Sequence, residues 1–279
     1  MFIRGAISED AEMGGSLALP PGADRRMAKI QRATCHSMYA ALNKTGTTAI
    51  DAIFAATALG CLEDTERFLD EITGPSTSLR SPLPFMRSTH NTMAGQLALL
   101  LKVHGPNITY SQSLFGFHAV LLNALLHLEK EPSHTVAAFA ADERTELATA
   151  LVQTNIPGTV LGDGVASFIL GGTAKTGDVA RITRLEQRII TDVELEKIME
   201  EEQIGSVFCS QWTADAEFPK LSSKTVVERY DPATGNHGAQ TALALGKVVD
   251  RIASHSMTGP CMILDQVGDR RGIIVVAPC

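Results

Sequence analysis

The chain has 279 residues, 44% of them hydrophobic, enough for a large core built as one domain or as two closely packed halves. Its formal net charge of −7 leaves no basic stripe for nucleic acid, and the charges are scattered rather than blocked. No apolar run reaches the length of a membrane span, and the N-terminus "MFIRGAISEDAEMGG" carries acids where a signal peptide has an unbroken apolar core, so the expected place is the cytoplasm.

From Arg25 to Leu42, apolar residues including Met27, Ile30, Met38 and Leu42 recur at helical spacing and predict a helix laid on a sheet. "AIDAIFAATALGCLED" reads as a buried strand ending in a turn at Gly60. "EDTERFLDEIT" then reads as a helix with acids at its start, and "GPSTSLRSPLPF" as the Pro- and Ser-rich loop that ends it. "NTMAGQLALLLKVHG" is a further predicted helix, with Gly105 as its C-cap. In "GPNITYSQSLFGFHAVLLNALLHL" a short strand, Ile108 to Ser111, meets a polar turn at Gln112 and Ser113 and then an apolar helix from about Phe117.

"HTVAAFAADE" predicts a buried strand, and "GDGVASFILGGTAKTGDVARITRLEQRI" two strands joined through glycines. The rest alternates: "DVELEKIMEEEQ" as helix, "IGSVFCSQW" as strand, "GAQTALALGKVVDRIASH" as helix, and "CMILDQV" with "RGIIVVAP" as a closing strand pair. Strands alternating with helices of these lengths imply a layered α/β fold. The five cysteines are odd in number, widely spaced and free of any C-x-x-C pair, which argues against a disulfide framework or a structural zinc. Cys279 is expected to be the exposed one.

A side chain on a strand-to-helix turn stands clear of the sheet, and the amides of the following helix can stabilise charge developing beside it. The turn here offers only Gln112, Ser113 and Leu114. A serine nucleophile at Ser113, with His118 or His237 as its base, stands beside the plainer reading of Ser113 as a helix cap, since no G-x-S-x-G surrounds it. Asp64, Glu66, Asp142 and Glu143 read as solvated helix ends or turn residues, and no spacing of His, Asp and Glu suggests a metal. No cofactor is expected, because the glycine-rich "LGGTAKTGD" and "LGDGVASFILGG" lack nucleotide-binding order.

Five stretches, taken in order, carry a resemblance: "AIFAATALGCLEDTERFL", "SPLPFMRSTHNTMAGQLALLLKVHGPNITYS", the turn that follows it, "LGDGVASFIL" and "TGNHGAQTALALG". Together they resemble the β-ketoacyl synthases of the thiolase superfamily, and most closely the small ketosynthase-like proteins of aryl polyene and flexirubin pigment pathways. The resemblance implies a thiolase-like fold, with two similar βαβ halves packed as an α/β/α/β/α sandwich. The halves would be residues 1–157 and a reduced C-terminal half, 158–279.

The departures from the family decide what chemistry is expected. A decarboxylating Claisen condensation needs a thiolate to hold the acyl chain, an oxyanion hole, and imidazoles that stabilise the enolate. The nucleophile slot falls on Gln112, Ser113 or Leu114, none of them cysteine. The first family histidine should follow "IGSVF", where the chain reads "CSQWTADAEF", and only His237 in "TGNHG" survives. A glutamine at the nucleophile position resembles the chain length factors, inactive partners of ketosynthases.

The resemblance therefore implies a vestigial site at residues 112–114 and His237 in a non-catalytic subunit. Such a subunit would pair with an active ketosynthase and, through the complex, with acyl carrier protein, in aryl polyene or polyketide-type fatty acid biosynthesis. Two other readings stand beside it: an active acyltransferase, hydrolase or ketosynthase using Ser113 or a displaced nucleophile such as Cys209, and a homodimeric scaffold. In ketosynthase-like dimers the strand before the nucleophile lies at the two-fold, which places Asn107, Ile108, Thr109, Tyr110 and Ser111 at the interface. Phe115 and Phe117 would face the partner's acyl tunnel.

Overall fold

The computed structural model describes residues 1–10, 19–20, 22–74, 81–158, 161–209, 225–229 and 237–279. The N-terminal part runs β1 (Phe2–Asp10), α1 (Lys29–Thr45), β2 (Ala52–Ala56), α2 (Leu62–Thr73), α3 (Pro82–Arg87), α4 (Thr92–Leu101) and β3 (Asn107–Tyr110). A 3-10 turn (Ser113–Phe115) leads into α5 (Gly116–Lys130), β4 (Thr135–Asp142), α6 (Glu146–Asn155) and β5 (Gly164–Gly171). The C-terminal part is β6 (Ala180–Ile189), α7 (Asp192–Glu201), β7 (Ser206–Cys209), β8 (Val226–Arg229), α8 (Gln240–Ala253), β9 (Cys261–Val267) and β10 (Arg270–Pro278).

The strands follow the order β3-β2-β4-β5-β1-β6-β10-β9-β7-β8. Read outward from the middle, β1-β5-β4-β2-β3 and β6-β10-β9-β7-β8 are one pattern used twice. In each, the strand next to the outer edge (β2 or β7) pairs parallel with two neighbours, and the last two strands of the repeat in chain order pair antiparallel. Among the described residues the two sets of five are joined in strand pairing where Phe2 faces Arg181 and Ile3 faces Ala180. Because β5 pairs with β4 and β1, the repeat changes over between Gly171 and Ala180. By strand pairing the expected division at 157/158 therefore falls inside the first repeat.

Side-chain alternation along the strands builds the layers. Ala52, Phe54 and Ala56 of β2 join a core with Phe117, Val120, Leu121 and Ala124 of α5, with α8, and with Cys261, Ile263, Ile274 and Val276 of the second sheet. The intervening Ile53 and Ala55 point the other way, onto Met38 and Ala41 of α1 and Met93 and Leu97 of α4. Beyond the second sheet, Val207, Met262, Leu264, Ile273 and Val275 meet Leu195 and Ile198 of α7. The order is helices, sheet, α5 with α8, sheet, helix, which is the five-layer sandwich expected. A helix clothed on both sides should be apolar nearly all round, and α8 buries ten residues from Gln240 to Ile252.

Several expectations need correction. The "SPLPF" half of the predicted loop is helix α3, because Pro82 occupies the first turn, where no amide is needed, and Ser81 Oγ accepts from Leu83 N. Gly105 does not cap α4. Lys102 takes the left-handed cap at φ 54°, and Gly105 is required instead because a Cβ there would collide with the Asp51 carbonyl. Strands β1 and β8 and helix α6 have no counterpart among the elements that the sequence predicts. The first carries an arginine, a glycine and acids, the second has four residues, and α6 buries no side chain, so none has a strong apolar period.

Candidate functional site

Strand β3 ends with the Tyr110 carbonyl accepting from Thr57 N, and Ser111 Oγ donates to Ala58 O, so the turn is tied to the end of β2. Ser113 then takes φ 48°. Four described non-glycine residues have positive φ. Lys102, Gln203 and His255 stand at or just past helix C-termini, where the left-handed conformation is a common stop, and Ser113 alone precedes a helix. Such a backbone costs about 1–2 kcal/mol in an L-residue. Ser113 and Gln112 are exposed while Leu114 and Phe115 are buried, so the strained turn presents Ser113 at the start of α5.

Beneath this turn lies a closed polar cluster. Thr241 Oγ1, on α8, donates to Asp265 Oδ2 at 2.7 Å and lies 3.3 Å from the Leu114 carbonyl. His118 Nε2 is 3.6 Å from Asp265 Oδ2, and the Phe115 ring stands edge-on to the imidazole at 5.8 Å. Burial pushes the His118 imidazole down to about 4, which keeps it neutral, against a smaller opposing effect of the Gly272 backbone. His118 is fully enclosed and faces Asp265 and β10. It is therefore not the base for Ser113 that sequence reasoning allowed.

Three of the four acids expected to be solvated are buried, while Glu66 is half-buried and accepts from Thr145 Oγ1. Asp64, Asp142 and Glu143 are each less than 5% exposed, which corrects the sequence reading. Asp142 Oδ1 accepts from Thr57 Oγ1 at 2.6 Å and from the amides of Ala58 and Leu59, so it nails the turn after β2 to the end of β4. Glu143 Oε1 accepts from Glu63 N at the start of α2, and desolvation raises its carboxyl to about 7. Gly238 closes against this turn. A Cβ there would stand 2.6 Å from Ala58 Cβ and 2.9 Å from Asp142 Oδ2, and its neighbour His237 is buried at the same end of the sheet as Ser113. Trp212 and most of the segment where the first histidine was expected lie outside the described residues, and Cys209 at its start is buried.

Among the described residues strand β3 is the sheet's edge and pairs with β2 alone. Asn107 and Ile108 are exposed, Thr109 and Tyr110 half-buried, and Leu99, Leu122 and Leu126 on the flanking helices α4 and α5 are also exposed. Asn107 Nδ2 donates to the Ala94 carbonyl and ties this edge to α4. Phe115 and Phe117 part company. Phe117 is wholly buried, 5.3 Å from the Phe168 ring, so it belongs to the interior of its own chain and not to a surface facing a partner. Phe115, 8% exposed, stays beside the turn.

The β3–α5 turn holds no cysteine. Burial pushes Cys35 up to about 12 and Cys61 and Cys261 to about 11, and it raises the exposed Cys279 as well. Among the described residues no group of three or more His, Cys, Asp or Glu could hold a metal ion, and no helix is long and apolar enough to cross a membrane.

Residues 6–153 match the family described as β-ketoacyl synthase, N-terminal domain. No curated protein sequence matches the chain. Among solved structures, the ishigamide ketosynthase/chain length factor is similar over 98% of this chain and 91% of its own, at 15% identity and a TM-score of 0.77. A type II PKS acyl-carrier protein in complex with its ketosynthase bound to the hexaketide gives 0.83 at 12% identity, over 100% and 99% of the two chains. A β-ketoacyl synthase from Burkholderia phymatum gives 0.75 at 12%, over the same shares. At these identities the likeness concerns the fold.

Proposed function

The chain belongs to the β-ketoacyl synthase family, and from that membership and the occupant of its strained β3–α5 turn we propose a ketosynthase-like subunit that does not itself condense acyl chains. The observation that supports this reading is Ser113 at φ 48°, in the turn of residues 112–114 where a condensing enzyme would need a thiolate. A serine hydroxyl takes over that task only when a base removes its proton. Among the described residues no imidazole or carboxylate hydrogen-bonds Ser113 Oγ. The role left is that of a chain length factor, which shapes the acyl tunnel of an active ketosynthase served by acyl carrier protein. The likeness of "THNTMAGQLALLLKVHGPNITYS" to aryl polyene and flexirubin proteins favours that class of product.

The proposed contact is the β3 edge. Its unpaired backbone and the exposed Ile108, Leu99, Leu122 and Leu126 around it form the kind of surface that another strand covers. Pairing of Asn107 to Ser111 with the partner's equivalent strand would set Phe115 near the shared tunnel. Coexpression with a ketosynthase is expected to yield a heterodimer, and Phe115→Ala to lengthen its product. A chain that purifies alone as a stable homodimer and ignores the ketosynthase would favour a scaffold role instead.

The test is direct. Acyl and malonyl thioesters of acyl carrier protein, incubated with the chain, should leave its intact mass unchanged. A stoichiometric acyl adduct on residues 111–114 would overturn the proposal. One observation favours a second reading: Ser113 is exposed and strained at the N-terminus of α5, as nucleophiles are. An acyltransferase or hydrolase using Ser113 predicts turnover by the single chain that Ser113→Ala abolishes without changing its Tm.

A further inference from the structure

At the opposite end of β4 from the Ser113 turn, roughly 23 Å away by strand rise, a cavity of about 540 Å³ opens between the C-terminus of α1 and the β5–β6 connection. That volume suits a small-molecule ligand. Arg4, Lys44 and Lys175 line it, together with Thr48, Thr135 and Asp178. Three cations against one carboxylate form a positive concentration in a chain whose net charge is −7.

Arg4 is the fixed part of this site. Its side chain is 9% exposed, Nη1 donates to Thr135 Oγ1 at 2.7 Å, and its guanidinium lies so close over Gly171 that a Cβ there would collide with it. Nε and Nη2 are buried with no hydrogen-bond acceptor among the described residues. Asp178 Oδ1 stands 3.9 Å from Nε, beyond hydrogen-bond reach, while its Oδ2 accepts from Lys175 N and so holds the connection that carries Lys175 over the cavity. Lys44 Nζ donates to the Ala6 carbonyl at 3.2 Å and pairs with Asp250 at 3.5 Å; in that pair both side chains are about half exposed, and such a pair competes weakly with a ligand.

A buried guanidinium whose Nε and Nη2 have no hydrogen-bond acceptor among the described residues, two ammonium groups and threonine hydroxyls offer more donors than one carboxylate accepts. They match the several oxygens of a phosphate. We infer that this cavity is a binding site for a phosphorylated small molecule, separate from the β3–α5 turn and independent of whether that turn is catalytic. The phosphate seats on Arg4, and Lys44 and Lys175 close over it from the rim.

The probes are pyrophosphate, coenzyme A and acetate, titrated calorimetrically into the full chain at fixed ionic strength. Saturable one-site binding of pyrophosphate is expected, weakened at least about tenfold in the Lys44→Gln/Lys175→Gln variant, whose substitutions are at exposed positions. Coenzyme A tighter than pyrophosphate identifies an organic phosphate as the ligand, and equal affinities identify the phosphate group alone. Arg4→Gln, checked for an unchanged Tm, should abolish binding. No saturable binding of pyrophosphate, acetate bound as tightly, or an affinity untouched in the double-lysine variant would each overturn the assignment.

Discussion

His118 Nε2 lies 3.6 Å from Asp265 Oδ2, with both side chains fully enclosed between α5, α8 and the β9–β10 hairpin. The separation is too long for a hydrogen bond, and Asp265 spends an oxygen on Thr241 instead. Desolvation holds the imidazole at about 4 rather than its ordinary 6.5. A histidine depressed in the folded state stabilises fully above 6.5, and that contribution is lost as pH falls toward 4, because only the unfolded chain gains the proton readily. The loss amounts to at most about 3 kcal/mol, less whatever proton attraction Asp265 provides. Urea unfolding of the wild type and of His118→Gln at pH 7.5, 6 and 4.5 should show a shallower acid decline in the variant. Parallel declines would mean that His118 titrates normally.

Gly272 faces the same imidazole from β10, and a Cβ there would stand 2.5 Å from His118 Nε2. Both neighbours are held in tightly packed elements, so Gly272→Ala should cost about 1–3 kcal/mol. His118→Ala makes room for the new methyl. The Gly272→Ala/His118→Ala pair is therefore expected to cost clearly less than the sum of the two single changes, measured as a double-mutant cycle by denaturant unfolding. Strict additivity would show that the glycine is there for some other reason.

The layers were legible in the sequence because strands and helices announce themselves locally. The short apolar run in "AIDAIFAATALG" and helical spacing in "GAQTALALGKVVDRIASH" depend only on neighbours. The site was less so. Asp142 and Glu143 look like a solvated strand end until Thr57 and Glu63, 85 and 80 residues earlier, are brought against them. Phe115 and Phe117 look like a pair, yet two residues turn a helix by roughly 200° and send the rings apart. Which of Gln112, Ser113 and Leu114 stands at the turn depends on a backbone dihedral that no residue type there demands. The groove at Arg4 gathers residues from β1, α1, β4 and the β5–β6 connection, and no sequence window contains them together.

Glu143 titrates in the opposite sense to His118. Desolvation raises its carboxyl from 4.5 to about 7, with Glu63 N–H pulling the other way and nearby Glu63, Asp64 and Lys29 contributing less. A carboxyl raised in the folded state favours folding most below 4.5, and that contribution is lost as pH rises through 7. Gln at this position keeps an oxygen for the Glu63 amide and carries no charge. Glu143→Gln should therefore be more stable than the wild type at pH 8, by up to about 3 kcal/mol, and nearly equal at pH 5. A Tm difference of the same size at both values would place the effect in packing and not in charge.

Ser113 carries the cost of its positive φ whether or not it reacts. If the turn serves only to join β3 to α5, glycine is the better residue: it adopts φ 48° without steric penalty and gives back part of the gain through the extra freedom of its unfolded chain. Ser113→Gly is expected to raise stability by about 1 kcal/mol. Ser113→Ala, which keeps the Cβ and removes only the hydroxyl, should leave it nearly unchanged, since among the described residues that hydroxyl makes no hydrogen bond. Chemical denaturation of the two variants side by side separates backbone strain from side-chain bonding. A destabilised glycine variant would mean that the dihedral is not strained, and would withdraw the argument that assigns the nucleophile position to Ser113 rather than to Gln112 or Leu114.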